Sequence, residues 1–361
     1  MKAAILLPVL ADRDAVGNDV LAMAGLLRER GIDTRIFCDQ ALGVAEPTYP
    51  PNKALDFAGG PADLMLYEFS VGWPVALDIL RRARGYRIVR YQNITPPEFF
   101  AGYSAAHVAA CERGRAEIPQ VARLDCELYL GGSTYNSEEL IAAGAPRARS
   151  AVLAPFHRID DLLTIEADLP LLDALGDGAR NVLMVGRVAP NKGHLELVDT
   201  FAALVDGWGD PARLLIVGKS DPQLKGWTER IRARIDQHRL GARVRWLDSV
   251  SPAQLKSAYL ASHAFLTMSR HEGFCVPVVE AMALGTPVVA YGSSALPETI
   301  GGGGIVWPEP DPWLHAASIA RLASDEGFRN ELRDAGRRRY QQAYSTHALR
   351  TRFHQVLEAV S

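Results

Sequence analysis

Glu272 and Glu280 stand eight positions apart in the run Arg270-His271-Glu272-Gly273-Phe274-Cys275-Val276-Pro277-Val278-Val279-Glu280. An apolar stretch ends just before this run, and Pro277 suits the first turn of a helix predicted to reach Leu284. Gly285 closes that helix, and a further strand is predicted from Pro287. The amides of Gly273, Phe274, Cys275 and Val276 then lie at a helix N-terminus, where unpaired N–H groups and the helix dipole favour an anion. Carboxylates beside such a site do not serve a phosphate. They suit the hydroxyls of sugars on either side of a diphosphate, because an ionised carboxylate only accepts hydrogen bonds. Two glutamates at this spacing on an ordinary helix would be one surface and one capping residue. The Gly-Phe-x-x-Pro between them and the strand–loop–helix–strand setting favour a site.

A second cluster is Gly186-Arg187-Val188-Ala189-Pro190-Asn191-Lys192-Gly193-His194. It follows a predicted strand, and Gly186 permits a tight turn. Arg187 and Lys192 leave one loop at the start of the next helix. Two fixed cations there suit a diphosphate whose negative charge grows as it departs. The loop 11–18, with Gly17, has the position of a phosphate loop but lacks both GxGxxG and the Walker lysine. This disfavours nicotinamide and P-loop chemistry. Asp12-Arg13-Asp14 is a DxD with no other acidic ligand near it in sequence, and it is read as no metal site.

The elements that must position these residues alternate. Short apolar runs at 3–9, 34–38, 64–69, 88–92, 128–132 and 150–154 read as buried strands, with helical patterns at 18–30, 74–84 and 105–123 among them. From 156 to 180 the pattern breaks. It resumes with strands at 181–186, 214–218, 244–247, 264–268, 287–291 and 305–307, and with helices at 192–205, 227–239, 252–261 and 276–284. Three more helical patterns close the chain between 312 and 360. Strand–helix alternation of this kind predicts parallel sheets covered by helices, here two Rossmann-like, doubly wound α/β domains in tandem facing a cleft. The expected boundaries are 1–160, a linker 161–180, and 181–344, with a final helix at about 345–361 packing back on the first domain.

The 361 residues are 48% hydrophobic and 22% charged with a net charge of −3, which is globular and without the basic excess of a nucleic-acid binder. Cys38, Cys111, Cys126 and Cys275 show no CxxC spacing and are too sparse for a disulfide framework, so neither a zinc site nor a secreted scaffold is expected. No apolar run approaches the ~18–20 residues of a membrane span. The apolar stretch 1–11 reads as a first strand rather than a signal peptide. A cytoplasmic chain is the expectation. The stretch 81–90 carries five arginines, which form either a solvated helix end or a contact with an anionic membrane surface.

Together these residues resemble family 4 of the retaining glycosyltransferases, which have the GT-B fold. The likeness is specific from Asn181 to Val306 and loose before it. Glu272 and Glu280 match the family's Glu-x(7)-Glu, and Gly186, Arg187, Lys192 and Gly193 match its Gly-Arg…Lys-Gly. The resemblance implies transfer of a sugar from a nucleoside-diphosphate sugar, a UDP-sugar or GDP-mannose, with no metal and no covalently bound cofactor. Arg187 and Lys192 would hold the donor diphosphate, Glu272 the donor sugar, Glu280 the ribose, and the 273–276 amides sugar and phosphate. The acceptor would be a glycan or lipid-linked glycan hydroxyl, bound near Gly17, Gln92, Asn93 and His271, in surface polysaccharide or glycolipid synthesis at the inner face of the membrane. Many relatives carry a His in the segment where this chain has Gln92, which can donate a hydrogen bond but carries no proton. A nucleotide-sugar epimerase and a non-catalytic, transferase-like partner subunit are the alternatives. A phosphorylase would need a pyridoxal-phosphate lysine that is not evident.

Overall fold

The computed structural model describes residues 1–12, 14–208 and 211–358. They form two compact units. The first comprises 1–98, 106–158 and 346–361, and the second 99–105 and 159–345. Arg13, the centre of the DxD, lies outside the described residues, as do 359–361 at the end of the predicted last helix.

In the first unit, β1 (Lys2–Leu6), β3 (Asp33–Phe37), β5 (Thr48–Tyr49), β6 (Leu64–Phe69), β7 (Tyr86–Tyr91), β8 (Leu128–Gly131) and β9 (Ser150–Val152) make one parallel sheet in the order β5-β3-β1-β6-β7-β8-β9. Both faces are covered. Ala3 and Ile5 of β1 pack with Val20, Met23 and Leu27 of the helix Ala15–Glu29, whereas Ala4 and Leu6 pack with Phe37, Met65 and Tyr67. Side chains alternate between faces along a strand, so a strand buried on both sides reads as an unbroken apolar run.

The run at 3–9 is not one strand. Pro8 has no amide to donate, β1 stops at Leu6, and β2 (Val9–Ala11) pairs instead with β4 (Gln40–Leu42) in a separate two-stranded sheet. The helix Thr346–Glu358 belongs to this unit. Phe353 is wholly buried and meets Phe156 edge-on at 5.8 Å, and Arg352 Nε donates to the Val152 carbonyl at 3.2 Å.

The second unit repeats the plan. β10 (Arg180–Val185), β11 (Ala212–Val217), β12 (Val244–Leu247), β13 (Ala264–Thr267), β14 (Val288–Tyr291) and β15 (Gly304–Trp307) are parallel in the order β12-β11-β10-β13-β14-β15. The winding reverses between β10 and β13, and the loops beyond the carboxyl ends of such a strand pair are where doubly wound sheets take ligands. The stretch 161–180, read as a linker, instead carries the helices Ile159–Thr164 and Leu169–Leu175. Asp168 caps the latter by accepting from Leu171 N at 2.8 Å, and Ser257 Oγ donates to the Asp168 carbonyl at 2.9 Å. Both helices are too short to show a periodicity in the sequence. No helix among the described residues is long and apolar enough to cross a membrane.

The five arginines of 81–90 do not share a surface. Arg81, Arg82 and Arg84 are exposed, Arg87 donates to the carbonyls of Leu124 and Asp125, and Arg90 is fully buried against Asp19.

Candidate active site

The two sequence clusters meet at the reversal in the second unit. β10 delivers Gly186 and β13 delivers the loop 268–275 to adjacent positions, since Val182 and Leu183 pair with Ala264 and Phe265. The loop after β10 is held tightly. Gly193 sits at φ +64°, and a Cβ there would lie 1.9 Å from the Met268 carbonyl oxygen, so only glycine lets the two loops touch. Asn191, 5% exposed, stitches them together. Its side-chain amide donates to the His271 carbonyl at 3.1 Å, and its own carbonyl accepts from Arg270 N at 2.8 Å.

Lys192 and Glu272 form a two-pronged ion pair, with Nζ donating to Oε1 at 2.7 Å and to Oε2 at 2.8 Å. The Lys192 side chain is 18% exposed and that of Glu272 7%. The loop after β14 supports Glu272 from the other side. Its amide donates to Ser294 Oγ at 2.7 Å, and its carbonyl accepts from Ala295 N at 3.3 Å. Arg187 contrasts with this closed pair. It is exposed and makes no ion pair or side-chain hydrogen bond among the described residues, while its neighbours Gly186 and Val188 are tied by their amides to the Val217 and Lys219 carbonyls. His194 begins the helix His194–Trp208 fully buried, and burial, with the Lys192 charge adding, pushes its pKa down to about 3. It is a neutral packing group.

Phe274 is buried and meets Tyr344 edge-on at 5.3 Å, and its carbonyl accepts from Thr299 Oγ1 at 2.8 Å. Cys275 sits at φ +82° and gives the helix Val276–Leu284 no side-chain cap. Burial raises its thiol well above the ordinary range, which disfavours the thiolate. An uncapped first turn leaves amides for an anion. Glu280, in that helix, accepts from Tyr259 OH through Oε2 at 2.6 Å, and burial raises its carboxyl even though this hydrogen bond acts the other way. His271 is 5% exposed, its ring 6.0 Å from that of Phe99.

Gly17, Gln92 and Asn93 lie in the first unit. Gly17 stands in the first turn of the helix Ala15–Glu29, where a Cβ would come within 2.2 Å of the Ala11 carbonyl oxygen. Its amide is directed at the Asp14 cap at 3.4 Å. Close packing explains this glycine. Gln92 donates its side-chain amide to Asp19 Oδ2, which also accepts from Arg90 Nε at 2.8 Å, while Phe156 N donates to Asp19 Oδ1 at 2.7 Å. Asn93, at φ +74°, donates to Asn136 Oδ1 and to Glu139 Oε2, both at 3.1 Å. Among the described residues no three His, Cys, Asp or Glu side chains gather as they would around a metal ion.

Glu68 of β6 is fully buried with this group, and its carboxyl is raised well above the ordinary value. Burial is the main cause and the Asp19 charge adds to it, while Arg90 opposes. A raised carboxyl favours folding fully below its unfolded value of about 4.5 and loses that contribution as pH climbs toward its folded value, at ~1.4 kcal/mol per pH unit. Glu68→Gln, an isostere of the protonated acid, should therefore gain in stability on the native protein as the pH rises from 5 to 8. Urea unfolding at both values checks this, and an equal difference at both contradicts a protonated Glu68.

Sequence reasoning passed over Asn191, Ser294, Tyr259 and Phe99. Only Asn191 carried a signal, lying between Pro190 and Lys192 in the loop already singled out.

Residues 174–339 match the family described as glycosyl transferases group 1. The chain is 34% identical over 232 residues to a D-inositol 3-phosphate glycosyltransferase of Corynebacterium efficiens, a match covering 61% of this chain and 52% of that protein. It is 35% identical over 86 residues to the O-antigen chain mannosyltransferase B of Escherichia coli, covering 24% and 23%. It thus spans about half or less of the length of these curated relatives. In structure it resembles Anabaena HepE, solved in complex with UDP and glucose, with a TM-score of 0.76 at 15% identity over 99% of this chain and 100% of that one. It also resembles the sucrose-phosphate synthase of Thermosynechococcus elongatus, with a TM-score of 0.75 at 18% identity over 99% and 98%. With its two parallel-sheet units, the chain has the GT-B fold.

Proposed function

We propose that this chain, which belongs to the group 1 glycosyl transferases through its residues 174–339, moves a sugar from a nucleoside-diphosphate sugar to an acceptor hydroxyl with retention of configuration and without a metal. The observation that carries this is the Lys192–Glu272 pair at the sheet reversal, beside the unpaired Arg187 and the uncapped helix at Val276. Lys192 spends two of its three N–H donors on Glu272, and the third remains for a phosphate oxygen. The Arg187 fork supplies a second donor set. Glu272 orients the donor sugar by accepting from its hydroxyls. Glu280 keeps Oε1 for the ribose while Oε2 is held by Tyr259.

In the proposed reaction, the acceptor oxygen attacks the anomeric carbon from the side of the leaving group. The bond from that carbon to the diphosphate oxygen breaks, and the departing diphosphate takes the acceptor proton. Negative charge therefore grows where Arg187 and Lys192 stand, which is where preorganised donors lower a barrier most. No step needs a proton from Gln92, whose amide is committed to Asp19.

The name of the mannosyltransferase relative speaks for a mannose donor, while the UDP bound in the Anabaena neighbour speaks for a UDP-sugar. The acceptor is a glycan or lipid-linked glycan of a surface polysaccharide or glycolipid. At the inner face of a membrane, the exposed Arg81, Arg82 and Arg84 are the cations of 81–90 that anionic headgroups would meet.

A thermal-shift panel of UDP, GDP, ADP and their sugars, with slow hydrolysis of each sugar nucleotide followed alongside, tests the reading. A ligand at 100 times its Kd stabilises by about 2.7 kcal/mol. No shift and no hydrolysis with any of them would end it.

A further inference from the structure

Seven residues of the N-terminal half, 99–105, belong to the second unit. They leave the first unit after Glu98 and return to it at Ala106. What holds them in the second unit is specific. The Phe99 ring lies 6.0 Å from that of His271 and under the Arg270 guanidinium, 5.8 Å from the ring centre. The Tyr103 ring meets Trp227 edge-on at 5.3 Å, and its hydroxyl accepts from Arg230 Nη1 at 2.6 Å. One end is thus fixed on the loop after β13, the other on the helix Lys225–Gln237.

Between the ends the strap is stiff. Pro96 and Pro97 restrict the entry, Pro97–Phe100 is a 3-10 turn, and the Phe100 carbonyl accepts from Tyr103 N at 3.0 Å and Ser104 N at 3.1 Å. Phe100 itself is buried.

We infer that Phe99 and Tyr103 are positioning residues of the donor site, holding the loop 270–272 and through it the Lys192–Glu272 pair. Phe99 packs on the ring of His271, whose carbonyl is held by Asn191, and the next residue is Glu272. A slack His271 would let the Glu272 carboxylate drift, and Lys192 with it. Displacement of a reacting constellation by about 1 Å can cost up to ~10² in rate. This inference rests on the donor-site reading above.

The test compares Phe99→Ala, Phe99→Tyr and Tyr103→Phe. With no substrate present, the Arg270 and His271 amides of Phe99→Ala should exchange with solvent about tenfold faster than those of the native protein. Phe99→Tyr, which keeps the ring, should match the native rate. Tyr103→Phe, which loses only the Arg230 bond, should fall between. In turnover with the sugar nucleotide selected by thermal shift, Phe99→Ala should lose roughly tenfold or more in kcat with its donor KM within twofold. Unchanged exchange in Phe99→Ala overturns the strap. Faster exchange with unchanged kcat overturns its part in the reaction and leaves it as packing. A native protein that turns over no sugar nucleotide overturns the proposed function instead, and the exchange rates still decide whether 99–105 holds the loop.

Discussion

Arg187→Ala should lower kcat by ~10²–10³ and leave the unfolding midpoint within about 0.5 kcal/mol of the native protein. The side chain is exposed and makes no ion pair among the described residues, so its removal creates no cavity and strands no buried charge. Its backbone is fixed on both sides by the amides of Gly186 and Val188, so truncation should not move the loop. On the proposed reading, all that is lost is the guanidinium that meets the developing diphosphate charge. That interaction strengthens as the glycosidic bond breaks, so the loss should fall on kcat more than on KM. Arg187→Lys should recover only part of it, because an ammonium keeps the charge but not the two-pronged fork. Steady-state kinetics and urea unfolding on both variants decide this. Native turnover in Arg187→Ala would place the diphosphate elsewhere.

The strands buried on both faces were the plainest parts of the architecture in the sequence, although the partly exposed β9, β12 and β15 were legible as well. β1, β6, β7, β10, β11 and β13 read as apolar runs because neither face of their sheets meets water. β4, with all three residues exposed, left no such trace, nor did the two residues of β5. The break at Pro8 was legible in principle, but a run such as Ile5-Leu6-Leu7 followed by Val9-Leu10 reads as continuous unless the missing amide is given weight.

In the site, the two motifs and the loops carrying them were legible because each is local. Their pairing was not. Sequence reasoning gave Lys192 to the diphosphate and Glu272 to the sugar as independent residues, yet they are 80 positions apart and bonded to each other. That contact depends on β10 and β13 being neighbours, and strand–helix alternation gives the number of strands but not their order. The same holds for Gln92 with Asp19 and for Phe99 with His271. Each joins segments whose contact is set by sheet order or by a chain crossing, with no periodicity to announce it.

The Lys192–Glu272 contact changes what Lys192→Ala should do. Taken as an independent cation, Lys192 should be needed for turnover and dispensable for folding. Paired, it is needed for both. Its removal leaves a Glu272 carboxylate that is 7% exposed with no counter-charge, and breaking a buried pair from one side costs about 3–5 kcal/mol. Since Lys192 is 18% exposed and water can partly replace it, a loss of about 3 kcal/mol is expected. Glu272→Gln should cost less, because the amide oxygen still accepts from Nζ and the charge left unpaired is the more exposed Lys192 ammonium. Both variants should lose turnover, since neither presents an ammonium and a carboxylate in their native positions. The double change Lys192→Ala with Glu272→Ala separates the two effects. It strands neither charge, so it should recover much of the stability lost in Lys192→Ala, with a coupling energy in the range of about 0.5–3 kcal/mol for residues in contact. It should recover none of the turnover. Urea unfolding of the native protein, the single variants Lys192→Ala and Glu272→Ala, and the double variant gives the coupling, and kcat on the same preparations gives the catalytic share. If Lys192→Ala unfolds at the native midpoint, the pair is no structural tie. If the double variant turns over like the native protein, neither residue belongs to the reaction.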